Sequence, residues 1–567
     1  MKKLLIILVW FICAVCNQAT FAQAQSADTT NNYNEKADLP LLGKVWGFLK
    51  YHHPNVTKGQ FNWDEQLIKV LPAYMAAKDK AARNQVLLKW VSGLGNVPTY
   101  PIADSIILNA KLNPDLAWIN SNNFSPALLG ILGNLKQNHS TADQKYIKYM
   151  ADADVVFPIV INEDAYTAMK LPSYQYRLIA AFRYWNLIAY WYPYKSLARQ
   201  NWDKYLTVLT HEALAVRTET DYVHFIQGMI ASIKDTHAYV RSTSAETVIG
   251  KYKMPFTVKL IQNKAIVNSA DPTMLQGKDL QKGYELQSVN GMPISTIVDN
   301  VKPYLSASNN AALLREAARY ITRTSDSVSN LVLADSRNVK HNVTVKNLSV
   351  YKLLTPDLDF SYQKDSTYFM MKNNILYINV ATTKRTQIPQ VKILIKNAKG
   401  VIFDGRQYPK TGIPSDLLDD LMFAKAVPIA MFSTAIKGYP GVFTTTKPLM
   451  SGKDNPSYYK GKVVYLTNEE TLSTGEFYAM FIRAMPNAVI VGSQTAGADG
   501  NVVSPFPLPG GIYTAFTGIG VFYPDGRQTQ QIGIVPDVKV SQTIKGFREH
   551  RDELLDKAVE VILNGKK

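Results

Sequence analysis

Between Leu39 and about Arg241 apolar positions recur at the spacing that puts them on one face of a helix. Part of this stretch is duplicated. Trp46, Tyr51, Pro54, Asn62, Trp63 and Asp64 return as Trp185, Tyr190, Pro193, Asn201, Trp202 and Asp203, all at an offset of 139 residues. The unit this predicts is a helix ending before its proline, a short loop, and a second helix capped by Asn or Asp beside the tryptophan. Two copies are too few for a solenoid, so the expectation is one helical domain over 39–245 with a pseudo-repeated hairpin.

From about Gly250 to Ser349 the pattern shortens to strands: Phe256–Leu260, Ala265–Val267, Glu285–Val289 and Asn342–Val345. Gly283, the tight-turn pair Asn290-Gly291 and a helix over Ala311–Tyr320 lie between them, which suits a small PDZ-like domain over 250–349. From Phe369 onward strands (Leu376–Val380, Gly400–Asp404, Pro428–Phe432, Lys462–Leu466, Ala488–Val491) alternate with helices (Ser415–Ala424, Thr474–Met485). Alternation predicts an α/β core over 350–545 with mostly parallel strands, followed by a C-terminal helix over 546–567. Reactive groups are then expected at the carboxyl ends of the strands.

The start of the chain has a different pattern. Lys2 and Lys3 precede an apolar run from Leu4 to Cys16, and Ala22-Gln23-Ala24 offers a small-x-small cleavage site. This predicts a signal peptide over 1–24 and a flexible lead over 25–38, hence export to the periplasm or cell envelope, or secretion. The run is too short to span a bilayer. A lipidated Cys16 is the second possibility, which Cys13-Ala14-Val15 matches poorly. Both cysteines lie in this segment, so disulfides, thiol catalysis and Cys-ligated zinc are not expected of the mature chain. The net charge of +17 is scattered among acidic residues with no basic run of five, so it reads as a solvated surface and not as a nucleic-acid footprint.

Several chemical motifs are incomplete or absent. His211-Glu212 opens like HExxH but lacks the second histidine, and there is no Gly-x-Ser-x-Gly elbow and no phosphate-binding loop. His52-His53 suits a buried aromatic face better than a chelate. The informative segment is Val463–Gly500, in which a strand ends at Leu466 and Ser473-Thr474-Gly475-Glu476 opens an amphipathic helix. A hydroxyl there sits at the positive end of a helix whose free N–H groups can hold an oxyanion. The same residues also read as a capping box, and taken alone they leave both readings open.

This segment resembles the catalytic motif of the C-terminal processing (tail-specific) serine peptidases, in the branch of the tricorn core and of the noncatalytic interphotoreceptor retinoid-binding protein. Ile233-Lys234-Asp235-Thr236-His237, Gly283 with Ser288-Val289-Asn290-Gly291, Val401 to Arg406 and Gly533-Ile534-Val535-Pro536-Asp537 resemble further family motifs in the family's order. The resemblance spans roughly Asp235 to Val540. It implies a multidomain α+β chain: an N-terminal helical domain, a PDZ-like domain and an α/β catalytic core of the ClpP/crotonase type.

By the same resemblance Ser473 is the nucleophile, His237 the general base, and Thr236 occupies the place of a serine that orients the machinery. The N–H of Thr474 and one from Lys410, Thr411 or Gly412 would form the oxyanion hole. Gln530 stands where an orienting Glu is found, so it is expected to hold His237, with Glu serving there at least as well. A lysine base would lie 25 residues after the nucleophile, where this chain has Ala498. Asp404 and Arg406 are expected to be scaffold for the oxyanion loop, while Asp235 belongs to the Asp-Thr-His segment that supplies the base and also suits the end of a helix. The implied substrate is a protein or peptide, with the PDZ-like domain either gating the site or capturing the substrate's C-terminal carboxylate, and no metal or organic cofactor is implied. The neutral Gln530 keeps a second reading open, an inactive envelope protein that binds a ligand or peptide.

Overall fold

The structure is a computed structural model that describes residues 38–99, 110–138, 143–152, 154–198, 201–350, 367–409 and 421–565. The expected signal peptide, nearly all of the lead, most of the helix expected at Ser415–Ala424, and Lys410, Thr411 and Gly412 lie outside them. Among the described residues no helix is long and apolar enough to cross a membrane.

The first unit runs α1 (Leu39–His52), α2 (Trp63–Ala76), α3 (Lys80–Ser92), α4 (Pro126–Gln137), β1 (Ile147–Asp152), β2 (Val155–Val160), α5 (Tyr174–Trp191), α6 (Trp202–Ala215) and α7 (Glu219–Ala231). The duplicated residues do the same work twice. Asn62 caps α2 by accepting from Glu65 N at 3.3 Å, and Asn201 caps α6 by accepting from Lys204 N at 3.2 Å.

A buried indole N–H needs an acceptor. In the first hairpin Trp46 Nε1 donates to Trp63 O at 3.2 Å and Trp63 Nε1 to Trp46 O at 3.0 Å. Trp185 and Trp202 repeat the clasp at 2.7 and 3.1 Å, and the paired rings lie 6.5 Å apart in both copies. His52 and His53 are both buried; the His52 ring stacks on Phe48 at 4.3 Å.

Two features of this unit were not expected from the helical pattern. The first is the antiparallel β1–β2 hairpin, whose Val156 N donates to Thr434 Oγ1 of the α/β core at 2.6 Å. The second is that the helical core is shared: Val503, Phe506, Leu508, Ile512 and Phe516, from the far end of the chain, pack within one apolar cluster with α1, α5 and α7. Arg183, fully buried on α5, ties the same layers together through Asp64, Glu163 at 2.9 Å and the carbonyl of Pro507 at 2.9 Å.

The PDZ-like unit contains β3 (Phe256–Ile261), β4 (Lys264–Ala270), β5 (Glu285–Val289), α8 (Ile294–Val301), α9 (Asn310–Ile321), β6 (Val328–Ala334) and β7 (Lys340–Lys346), with sheet order β7-β6-β5-β4-β3. Asn290 and Gly291 have φ of 49° and 80°, the pair of left-handed residues that a type I′ turn requires.

The core contains β8 (Tyr368–Met371), β9 (Ile375–Asn379), α10 (Ile388–Asn397), β10 (Gly400–Asp404), β11 (Val427–Ala435), β12 (Lys462–Thr467), α11 (Thr474–Arg483), β13 (Ala488–Gly492), β14 (Phe506–Leu508), β15 (Ile512–Thr514), β16 (Gly520–Phe522), β17 (Val538–Lys539) and α12 (Glu553–Asn564). The main sheet runs β8-β9-β10-β12-β13-β17, parallel except for β8. It is buried on both faces: Val401, Phe403, Val463 and Tyr465 face α10 and α11, while Ile402, Val464 and Leu466 face α12. β11, expected in this parallel layer, instead pairs antiparallel with β16 in a separate sheet. In that sheet it also pairs antiparallel with the nearby Phe443–Thr445 and Leu449–Ser451.

Candidate active site

Ser473 sits between the carboxyl end of β12 and the first turn of α11, with φ 53° and ψ −119°. For a residue with a Cβ this left-handed backbone costs about 1–3 kcal/mol, which the surroundings must hold in place. Glu476, fully buried, supplies the hold. Its Oε2 accepts from Ser473 N at 3.2 Å and Ala498 N at 3.0 Å, and its Oε1 accepts from Gly497 N at 2.8 Å and from Thr495 Oγ1. Ala498 O in turn accepts from Ser473 N at 3.0 Å. Burial pushes the Glu476 carboxyl up, and these hydrogen bonds pull against that. Ala498 is thus part of the frame around the serine and carries no base. Through its bond from Ser473 N, Glu476 forms the returning half of a capping box at the start of α11.

Close packing also accounts for the glycines. A Cβ on Gly405 would lie 2.2 Å from the Tyr465 ring, and Tyr465 OH donates to Gly475 O at 2.9 Å. Arg406 binds Asp404 with Nε at 2.9 Å and Nη2 at 2.6 Å, and Asp552 with Nη1 at 2.7 Å. Burial opposes ionisation of Asp404, but the Arg406 charge outweighs it and holds the carboxyl below its ordinary value. Asp404 and Arg406 therefore anchor the end of β10 to α12.

His237 and Ser473 line one cleft of about 440 Å³, together with Thr474, Tyr408 and residues of β2. Asp235, with no exposed surface, lies two residues before the histidine and accepts four hydrogen bonds. Its Oδ1 takes His237 N at 3.0 Å, Thr517 Oγ1 at 3.0 Å and Gln530 Nε2 at 3.2 Å, and its Oδ2 takes Thr517 N at 2.7 Å. His237 Nδ1 lies 2.9 Å from Thr517 Oγ1 and 4.0 Å from Asp235 Oδ1. A hydroxyl has one proton, and Thr517 gives it to Asp235, so Thr517 accepts from Nδ1–H. Nε2 is then the unprotonated nitrogen. Burial lowers the imidazole pKa, Asp235 raises it and Arg315 lowers it, for a net shift below 6.5. The ring is neutral at pH 7, with its lone pair on Nε2.

Two sequence expectations are corrected here. Gln530 does not touch His237: Thr517 occupies Nδ1, and the fully buried Gln530 amide sits one step further out, on Asp235 and on Tyr192 OH at 3.4 Å. Thr236 does not hold the imidazole either. Its Oγ1 lies 3.0 Å from Ser308 Oγ and 3.1 Å from Ala496 O, so it joins the PDZ-like unit to the Glu476 frame. Thr517 escaped the sequence reading because nothing marks a lone threonine 280 residues from its histidine. Asp235 is marked in the sequence only by its place in Asp-Thr-His, which leaves its hydrogen-bond partners open. Among the described residues no group of three His, Cys, Asp or Glu could hold a metal.

Residues 374–540 match the model of peptidase family S41, and residues 250–357 match a PDZ domain. A curated protein of Chlamydia trachomatis is 30% identical over 113 residues, and that stretch is 19% of each chain. Mature CPAF, solved in complex with lactacystin, superposes with a TM-score of 0.54 at 15% identity, covering 69% of this chain and 99% of that one; this likeness is one of fold. The photosystem II D1 C-terminal processing protease gives a TM-score of 0.36 at 16% identity, covering 65% and 94%. Along the chain, the stretch similar to a PDZ domain precedes the stretch similar to peptidase family S41.

Proposed function

We propose that this chain is an active, exported serine peptidase that cleaves protein or peptide substrates through an acyl-enzyme on Ser473. The observation that carries the reading is the pairing, in one cleft, of a serine in a strained turn with an imidazole whose Nε2 lone pair is left free by the Thr517–Asp235 contact. His237 Nε2 takes the Ser473 proton as Oγ attacks the scissile carbonyl, then gives that proton to the leaving amine. Water, deprotonated by the same nitrogen, hydrolyses the ester. Thr474 N–H, in the first turn of α11, would serve as one oxyanion donor, and the second is expected from Lys410, Thr411 or Gly412, which lie outside the described residues. Thr517 and Asp235 hold the ring and stabilise the imidazolium.

The PDZ domain has a groove of about 470 Å³ between β4, β5 and α8, suited to an extended peptide end, and in this reading it takes the substrate's C-terminus. Export rests on the Lys2-Lys3 start, the apolar run to Cys16 and the Ala22-Gln23-Ala24 site, and places the enzyme in the periplasm or envelope. An inactive protein that binds a ligand or peptide is the alternative, and it would bind peptides without labelling. Labelling with a fluorophosphonate tests the proposal. Wild type should label and cleave peptides, and Ser473→Ala should do neither while changing stability by about 1 kcal/mol, the cost of a helix N-cap. A wild-type chain that neither labels nor cleaves would refute it.

A further inference from the structure

We infer that the β1–β2 hairpin of the helical unit is the specificity wall of the active site, selecting a substrate with a large apolar side chain beside the scissile bond. The inference rests on the peptidase reading for the identity of the occupant. The cleft that holds Ser473 and His237 is lined on its far side by Met150 of β1 and by Phe157 and Ile159 of β2, and is completed by Leu472 and Val502. Among the described residues no Asp, Glu, Lys or Arg lines it. Met150 and Val502 keep 48% and 40% of their surface open to solvent, and Tyr408 keeps 51%. Large apolar side chains left uncovered around one cleft are the surface a bound apolar group would cover.

The register explains why the wall is apolar. Met150 pairs across the hairpin with Phe157, and Phe157 and Ile159 stand on the same face of β2. Lys148, opposite Ile159, continues that face outward and remains exposed, so charge begins only beyond the lining. The wall is also fixed in place. Thr434 Oγ1 donates to Val156 O at 2.9 Å, Ser504 Oγ donates to Val160 O at 3.1 Å, Tyr149 OH accepts from Gly438 N at 3.2 Å, and Phe157 packs with Val155 and Ile519. A preformed apolar wall offers a charged side chain no partner, so burying one there is penalised, whereas Leu, Met or Phe gains contact.

The test uses quenched peptides identical except for the residue on one side, then the other, of the scissile bond: Leu, Phe, Lys or Asp. Wild type should cleave the Leu or Phe peptide with kcat/KM at least about tenfold above the Lys and Asp peptides at one of the two positions. Met150→Lys and Val502→Lys, at exposed positions that cost the core nothing, should narrow the Leu-to-Asp ratio several-fold, which needs no comparison of absolute rates. Binding of the same peptides to Ser473→Ala, read by fluorescence anisotropy, separates the two proposals. Apolar preference in binding by a wild type that never labels supports the subsite and removes the peptidase reading. Equal handling of Leu, Lys and Asp, or a ratio unmoved by both lysine variants, overturns the subsite while labelling stands.

Discussion

Thr517→Val removes one hydroxyl and little else, since the two side chains have nearly the same shape and Thr517 is fully buried. Two hydrogen bonds disappear, the 3.0 Å bond to Asp235 Oδ1 and the 2.9 Å bond from His237 Nδ1. Asp235 keeps three donors, Thr517 N, His237 N and Gln530 Nε2, so its carboxylate stays well satisfied. His237 loses the only acceptor that fixes its tautomer and passes on the Asp235 charge. A hydrogen bond to a charged group is worth about 1.5–3 kcal/mol, and at 1.4 kcal/mol per factor of ten this predicts kcat lower by roughly 10- to 150-fold. KM should barely change, because Thr517 does not line the cleft. Steady-state hydrolysis of a quenched peptide gives kcat and KM separately, and ¹⁵N shifts of His237 report which nitrogen carries the proton. Thr517→Ser should recover most of the rate. A Thr517→Val enzyme within about twofold of wild type, or one whose Nδ1 stays the protonated nitrogen, would refute the assignment.

Gln530→Glu should be slower than wild type and less stable, the opposite of what the sequence alone implied, because it would set a second carboxylate about 3 Å from Asp235 in a buried site where like charges cannot both ionise; equal or faster turnover would return Gln530 to the histidine. The kcat/KM profile should rise with a single acid limb centred below pH 6.5, since the base must be unprotonated and burial lowers its pKa, and should be flat from pH 7 to 8; a limb above pH 7 would contradict a buried neutral His237. Glu476→Gln puts an NH₂ group where two of the four donors point, so thermal unfolding should show a loss of about 1–3 kcal/mol and fluorophosphonate labelling should slow, whereas an unchanged melting curve would mean that the Ser473 turn is held by other contacts.

What the sequence determined by itself was local or repeated. The Trp and Asn duplication announced two capped hairpins because a cap and an indole clasp are satisfied within about twenty residues. Asn290-Gly291 announced its turn because few residues tolerate left-handed φ, and Ser473-Thr474-Gly475-Glu476 announced a helix start beside a strand. Tertiary structure decided everything that depended on partners far along the chain. It chose Thr517 and not Gln530 for Nδ1, and set Asp235 behind that threonine. It placed β11 against β16 and brought β1 and β2 across to wall the cleft. The reason is common to all of these: a hydrogen bond or an apolar contact is specified by distance in space, and neither a lone threonine nor a six-residue strand carries any mark of the partner it will meet some 280 residues away.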